Sequence, residues 1–223
     1  MKTSFVAVLA SLGLANAIPV DQVPPVHQLD ARQVVVSDEL KSGQCAGSVF
    51  IFARGSTETD NMGTICGPQT CSALKTDLGG DAICQGVGTI DGYAGDLESN
   101  FLPKNTNDAA IAGAVKMINL ASSQCPDANI LLGGYSQGTA VMDNAVQALS
   151  ADVKAKVKGV VLFGFTRNAQ DNGQIPGYDA SKTKVFCAVG DLVCDNTLEI
   201  TAAHLTYGVN APAAGQFLAN AAK

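Results

Sequence analysis

Apolar runs alternate along this chain with stretches of helical period. Ser48 to Ala53 is an almost unbroken apolar run, as expected of a strand buried on both faces. Gly67-Pro68 opens a helix running to Leu78, with Pro68 in its first turn and Gly79-Gly80 beyond its end. Ala82 to Val87 reads as a second strand. Asn107-Asp108 caps a long helix from Ala109 to Ser123, with Ile111, Val115 and Ile118 on its apolar face. A third strand, around Ile130 to Leu132, leads through a glycine-rich turn into a helix over Thr139 to Val146. A short helix follows at Asp152 to Val157, then strands at Lys158 to Gly164 and Lys184 to Val189, and a terminal helix at Ala211 to Ala222. Five apolar strands alternating with helices predict an α/β fold. Its central sheet is mostly parallel, five-stranded and covered by helices on both faces. Ligand sites in such sheets lie beyond the carboxyl ends of the strands.

The first residues do not fit that pattern. Lys2, the short apolar run Phe5 to Leu14 and the small-residue site Ala15-Asn16-Ala17 read as a secretory signal over residues 1–17. Residues 18–32 carry Pro19, Pro24 and Pro25, show no periodicity and end at Ala31-Arg32, as a pro-segment would. Residues 33–223 form the single expected domain, secreted and extracellular. Removing residues 1–32 takes away Lys2, Arg32, Asp21 and Asp30, two charges of each sign, so the net charge stays at −6. That acidity argues against nucleic acid or anionic membrane as partner. No later apolar run is long enough to span a bilayer. Seven cysteines in a secreted chain imply disulfides and one odd thiol. Their spacings do not match the usual zinc ligand sets.

Chemistry concentrates at Gly134-Tyr135-Ser136-Gln137-Gly138, which stands between a strand and a helix. Gly-x-Ser-x-Gly in that position is a nucleophile elbow, a sharp turn that raises the serine hydroxyl above the strand ends. A serine nucleophile needs a base that titrates near neutrality. The chain has two histidines, and His27 falls in the pro-segment, which leaves His204. The acid should stand between them in the sequence. Asp191 follows the last strand inside the loop bounded by Cys187 and Cys194, and Asp195, just past that loop, is its rival. A covalent ring there would hold the acid in place and contribute roughly 2.5 kcal/mol in the chain-entropy model. For the oxyanion, the Gln137 amide supplies one donor. Ser56, in the loop after the first strand, is the candidate for the other, although Arg54-Gly55-Ser56-Thr57 also reads as an ordinary polar turn.

Together, Arg54-Gly55-Ser56-Thr57-Glu58, the elbow, Cys187-x-x-x-Asp191-Leu192-Val193-Cys194 and His204-Leu205 resemble fungal cutinase. The resemblance runs from about Cys45 to the terminal helix. It implies a small, lidless α/β-hydrolase that cleaves ester bonds of the plant polyester cutin and short-chain soluble esters. In it Ser136 is nucleophile, His204 base and Asp191 the orienting acid, with Ser56 and Gln137 at the oxyanion hole. Asn100 matches an asparagine that supports the oxyanion serine. Cys45–Cys125 and Cys187–Cys194 match the family's bridges. Some members carry a third, here Cys71–Cys84, so pairing among Cys66, Cys71 and Cys84 stays open. The apolar rim that receives acyl chains would include Leu97, Leu198, Ile200 and Leu205. Glu199 and Ala203 depart from the family pattern beside it. The resemblance implies no cofactor and no metal. The expected partners are a polyester surface and short-chain esters, met by a monomer. Acetylxylan esterase is a neighbouring reading, and a plant-surface effector with incidental esterase activity is a more distant one.

Overall fold

The computed structural model describes residues 36–223. The expected signal and pro-segment, residues 1–32, lie outside the described residues. Strands β1 (Ser48–Ala53), β2 (Ala82–Gly86), β3 (Asn129–Tyr135), β4 (Val157–Phe163) and β5 (Thr183–Phe186) form one sheet in the order β2-β1-β3-β4-β5. All four neighbouring pairs are parallel. The sheet is therefore wholly parallel rather than mostly so. Among the described residues, the single antiparallel contact is an isolated bridge from Asp38 to Gln85.

Strand side chains alternate between the two faces, and each face has its own helices. Val49, Ile51, Ile130, Leu132, Val160 and Leu162 pack with helices α2 (Asp108–Gln124) and α3 (Gln137–Ala148). Phe50, Phe52, Leu131, Val161 and Phe163 pack on the other side with helices α1 (Gly67–Asp77) and α5 (Ala211–Ala221). Helix α4 (Ala151–Lys156) is a short link into β4. Asn107 caps α2 by accepting the Ala110 N–H at 2.8 Å. The first four strands are buried almost end to end, whereas β5 is only partly covered.

That edge strand is where the sequence pattern overreaches. The expected strand runs to Val189, but β5 stops at Phe186. The Ala188 N–H turns away from the sheet to the Tyr207 hydroxyl, at 2.9 Å. Asp191 N–H then closes a tight turn on Ala188 O at 2.9 Å. Past Phe186 the apolar sequence is not core: Ala188 is only partly buried and Val189 is fully exposed. Between β4 and residue 201 the chain contains β5 and short 3-10 turns at Ala180–Lys182 and Leu192–Asp195, with no α-helix to cover the strand ends. No described helix is long and apolar enough to cross a membrane.

Candidate active site

Because every strand runs the same way, the residues after β1 and β3 emerge side by side. Ser136 directly follows Tyr135, the last residue of β3, and holds φ 53°, ψ −124°. A non-glycine residue in that region is strained. The turn is fixed from both sides: Ser136 N–H donates to Phe163 O at 2.9 Å, and Thr139 Oγ1 donates to Ser136 O. The flanking glycines serve closeness rather than positive φ. A Cβ on Gly134 would stand 2.4 Å from Gly138 O, and one on Gly138 would stand 2.0 Å from Ala53 O. The elbow is packed directly onto the end of β1.

Ser136 Oγ lies 2.9 Å from His204 Nε2. His204 Nδ1 lies 3.0 and 2.9 Å from the two Asp191 oxygens. Asp191 and His204 are each 2% exposed, so both are shielded from solvent while Ser136 keeps a solvent-facing side. Asp195 is exposed and is not among the hydrogen-bond partners of the His204 ring. Asp191 Oδ1 also accepts the Val193 N–H at 3.0 Å, and Oδ2 accepts the Tyr207 hydroxyl. The Tyr135 hydroxyl donates to His204 O at 2.9 Å, and its ring stacks on the imidazole at 5.2 Å. Cys187 and Cys194 are bonded, closing the loop around Asp191. Cys45 is bonded to Cys125 and Cys71 to Cys84, while Cys66 is a buried free thiol. Burial, and then the nearby Glu58 carboxylate, pushes the Cys66 thiol well up.

The loop after β1 is not an ordinary polar turn. The Arg54 guanidinium is buried and donates to Glu58 O at 2.8 Å, Ala94 O at 2.8 Å and Tyr93 O at 3.4 Å. The Glu58 carboxylate accepts N–H groups from Gly55, Thr64 and Ile65 at 2.7–2.9 Å. Between these two anchors Ser56 Oγ accepts the Asn100 amide at 3.0 Å. Gln137 opens α3, so its backbone N–H has no partner within the helix. Its buried side chain donates to Asp96 O at 2.7 Å. Hydrogen bonds from Ser99 hold the Asp96 carboxyl below the usual range. Gln137 thereby ties the elbow to the segment that carries Asn100.

Leu97, Leu198, Ile200 and Leu205 are all exposed around these loops. The sequence reading omitted Phe101, which is 78% exposed and follows Asn100, and its neighbour Leu102. It also omitted the supports provided by Tyr135, Tyr207, Arg54, Glu58 and the Gln137 side chain. Only Tyr207 had a local signal, its i+3 spacing from His204. Among the described residues, no group of three or more His, Cys, Asp or Glu side chains is arranged to hold a metal ion.

A shielded carboxylate, an imidazole and a strained serine in hydrogen-bonded series can deliver an activated alkoxide to a carbonyl carbon. Comparison with known proteins points the same way. The cutinase family model matches residues 44–222. A probable cutinase 3 of Neosartorya fischeri is 57% identical over 221 residues, covering 99% of this chain and 97% of that protein. The solved Trichoderma reesei cutinase, bound to a phosphonate inhibitor, superposes with TM-score 0.72 at 30% identity over 83% of this chain and 84% of its own. An acetylxylan esterase structure shares the fold at TM-score 0.61, with 21% identity over 81% of this chain and all of its own. The chain belongs to the cutinase family and is a carboxylic ester hydrolase.

Proposed function

We propose that this enzyme is secreted and hydrolyses the ester bonds of cutin, along with short-chain soluble esters, through an acyl-enzyme on Ser136. The supporting observation is the unbroken series Ser136 Oγ, His204, Asp191, with contacts of 2.9–3.0 Å. His204 Nε2 takes the hydroxyl proton as Ser136 Oγ attacks the ester carbonyl. Negative charge develops on the carbonyl oxygen, where the Gln137 N–H and the Ser56 hydroxyl and amide donate to it. Asn100 fixes the Ser56 hydroxyl, and preorganised donors of this kind act mainly on the transition state. His204 returns the proton to the leaving alcohol. Water then repeats the sequence on the acyl-enzyme, releasing acid and regenerating Ser136.

The exposed aliphatic side chains Leu97, Leu198, Ile200 and Leu205 suit a water–polyester boundary. No helix among the described residues covers the strand ends, so soluble esters reach Ser136 directly. Three disulfides suit an oxidising extracellular setting. Residues 1–17 fit an export signal and residues 18–32 a pro-segment. The protein acts as a monomer without cofactor or metal. Purified cutin should release hydroxy fatty acids, and Ser136→Ala should lose about 10⁶ of kcat. A fluorophosphonate should label Ser136. Substantial turnover by Ser136→Ala overturns the reading. A preference for acetyl over butyryl esters moves it to acetylxylan esterase chemistry.

A further inference from the structure

We propose that Tyr207 is a positioning residue for the Asp191–His204 pair: its hydroxyl, oriented by the Ala188 N–H, donates to Asp191 Oδ2 and sets how strongly the carboxylate holds the imidazole. The inference rests on the roles of Asp191 and His204 proposed above.

Three observations carry it. First, Tyr207 is placed by the same local structure as His204. His204 sits in a 3-10 turn (Ala202–Leu205) and Tyr207 opens the next (Tyr207–Asn210). Three residues per turn put side chains at i and i+3 on one side, and the two rings meet edge to face at 6.0 Å and 90°. Second, the hydroxyl has a fixed role. Ala188 N–H donates to it at 2.9 Å, which directs the phenolic proton towards Asp191. This requirement takes Ala188 out of the β5 ladder. Third, Tyr207 is fully buried. Burial, and then its hydrogen bond to Asp191, pushes the phenol well above its ordinary range. It therefore stays protonated, and remains a donor, at any pH where a histidine base works.

Asp191 has two oxygens and His204 can reach either. Val193 N–H engages one oxygen and Tyr207 the other. Between them they fix the carboxylate plane facing Nδ1. A donor to a carboxylate also disperses its negative charge. Removing the Tyr207 hydroxyl concentrates that charge on Asp191, strengthens its hold on the imidazolium and makes His204 harder to deprotonate.

The test uses the full protein with Tyr207→Phe, followed by three readouts. The rising limb of the kcat/KM–pH profile should move upward by about 0.5–1 pH unit. The His204 ring resonances, read by NMR without turnover, should titrate higher by the same amount. kcat at the plateau should fall roughly five- to twentyfold as the carboxylate loses its alignment. A fluorotyrosine placed at 207, which keeps the volume and donates more strongly, should move both midpoints the opposite way and keeps the test open if Tyr207→Phe folds poorly. Tyr135→Phe is the control: it removes a hydroxyl from the same cluster, but one bonded to the His204 backbone carbonyl. It should lower stability without moving either midpoint. Unmoved midpoints in both Tyr207 variants, even with reduced kcat, overturn the proposal and make Tyr207 a packing residue. If Ser136→Ala stays active, the catalytic reading fails, while the NMR titration still reports whether Tyr207 couples to His204.

Discussion

The proposed nucleophile and its proposed base come from two differently built regions. Ser136 stands at the junction of β3 and α3, two elements buried along most of their length. Its position is set by backbone: a ladder partner on β4, a glycine contact onto β1 and the first turn of a helix. Asp191 and His204 stand in residues 187–210, which contain only 3-10 turns. Their position is set by side chains and by a covalent ring: Cys187–Cys194, Tyr207 to Asp191, Tyr135 to His204 O, and Thr201 Oγ1 to Gly190 O at 2.8 Å. A backbone frame resists perturbation because it is part of the cooperative core. A strapped loop can lose its geometry while the core stays folded. Activity and stability should therefore respond differently to changes in the two regions.

The two disulfides at these regions give the largest contrast. Cys45–Cys125 links the approach to β1 with the end of α2, across 80 residues. Replacing both cysteines by serine should cost roughly 4.5 kcal/mol of stability in the chain-entropy model, while the protein that remains folded keeps its kcat. Cys187–Cys194 closes only seven residues and is worth about 2.5 kcal/mol by the same reckoning. Its removal should nevertheless abolish most activity at temperatures where circular dichroism shows a folded core. Parallel loss of activity and structure in both variants would erase the distinction between frame and loop.

Ser56→Ala tests the frame directly. Ser56 is held by Asn100 between the Arg54 and Glu58 anchors. Its loss should lower kcat by about 10²–10³ with little change in KM, and thermal unfolding should barely move. An unchanged kcat would return Ser56 to the role of a structural turn residue.

The frame also carries a titration of its own. Asp143, on α3 behind the elbow, is fully buried, with Oδ1 lacking any hydrogen-bond partner among the described residues. Burial first, then the Asp171 carboxylate, pushes Asp143 up to about 7, against the opposing pull of Arg167 and Gln147. One guanidinium serves two carboxylates: Arg167 Nε lies 2.8 Å from Asp171 and 3.3 Å from Asp143. The folded state thus prefers Asp143 neutral. For an acid raised in this way, the stabilisation is complete below the unfolded value near 3.9 and is lost as pH rises through 7. Stability should fall over that window by on the order of 4 kcal/mol from this group. Asp143→Asn should flatten the fall and leave the pH dependence of kcat in place. An identical stability–pH curve for the variant would mean that Asp143 stays ionised beside Arg167.

Legibility in the sequence divides along the same line. The buried strands and their helices were readable because apolar runs, caps and glycines are local signals. The elbow was readable for the same reason. His204 and Asp191 were nominated by scarcity and chain order, which are properties of the sequence rather than of their surroundings. Their supports were not readable. The Tyr207 hydroxyl meets Asp191 and Ala188 only after the chain has left β5, and the apolar residues past Phe186 concealed that departure. Gln137 was read for its backbone amide, while its side chain reaches 41 residues back to Asp96. Such contacts depend on tertiary approach: the i+3 spacing sets Tyr207 beside His204, but neither it nor composition encodes the reach to Asp191 or Asp96.

The smallest effect concerns the surface that both regions share. Leu97 and Phe101 extend from the segment tied to the frame, and Leu198, Ile200 and Leu205 from the strapped loop. Leu97 is 60% and Ile200 55% exposed, so neither side chain holds the core together. Burying such a side chain at a polyester surface contributes about 1.5–3 kcal/mol when complete, and partial contact contributes less. Polar replacement of Leu198 or Ile200 should lower cutin hydrolysis about three- to tenfold. Turnover of a short p-nitrophenyl ester should stay within a factor of two, because a small soluble substrate needs no adsorption. With no described helix over the strand ends, that ester should also show no jump in rate at its solubility limit. Equal losses on polymer and soluble ester would mean that the loop side of the rim positions Asp191 and His204 instead of gripping the surface. The same replacement at Leu97 then separates the two regions: a polymer-selective loss there, beside an equal loss at Ile200, would assign adsorption to the frame and alignment to the loop.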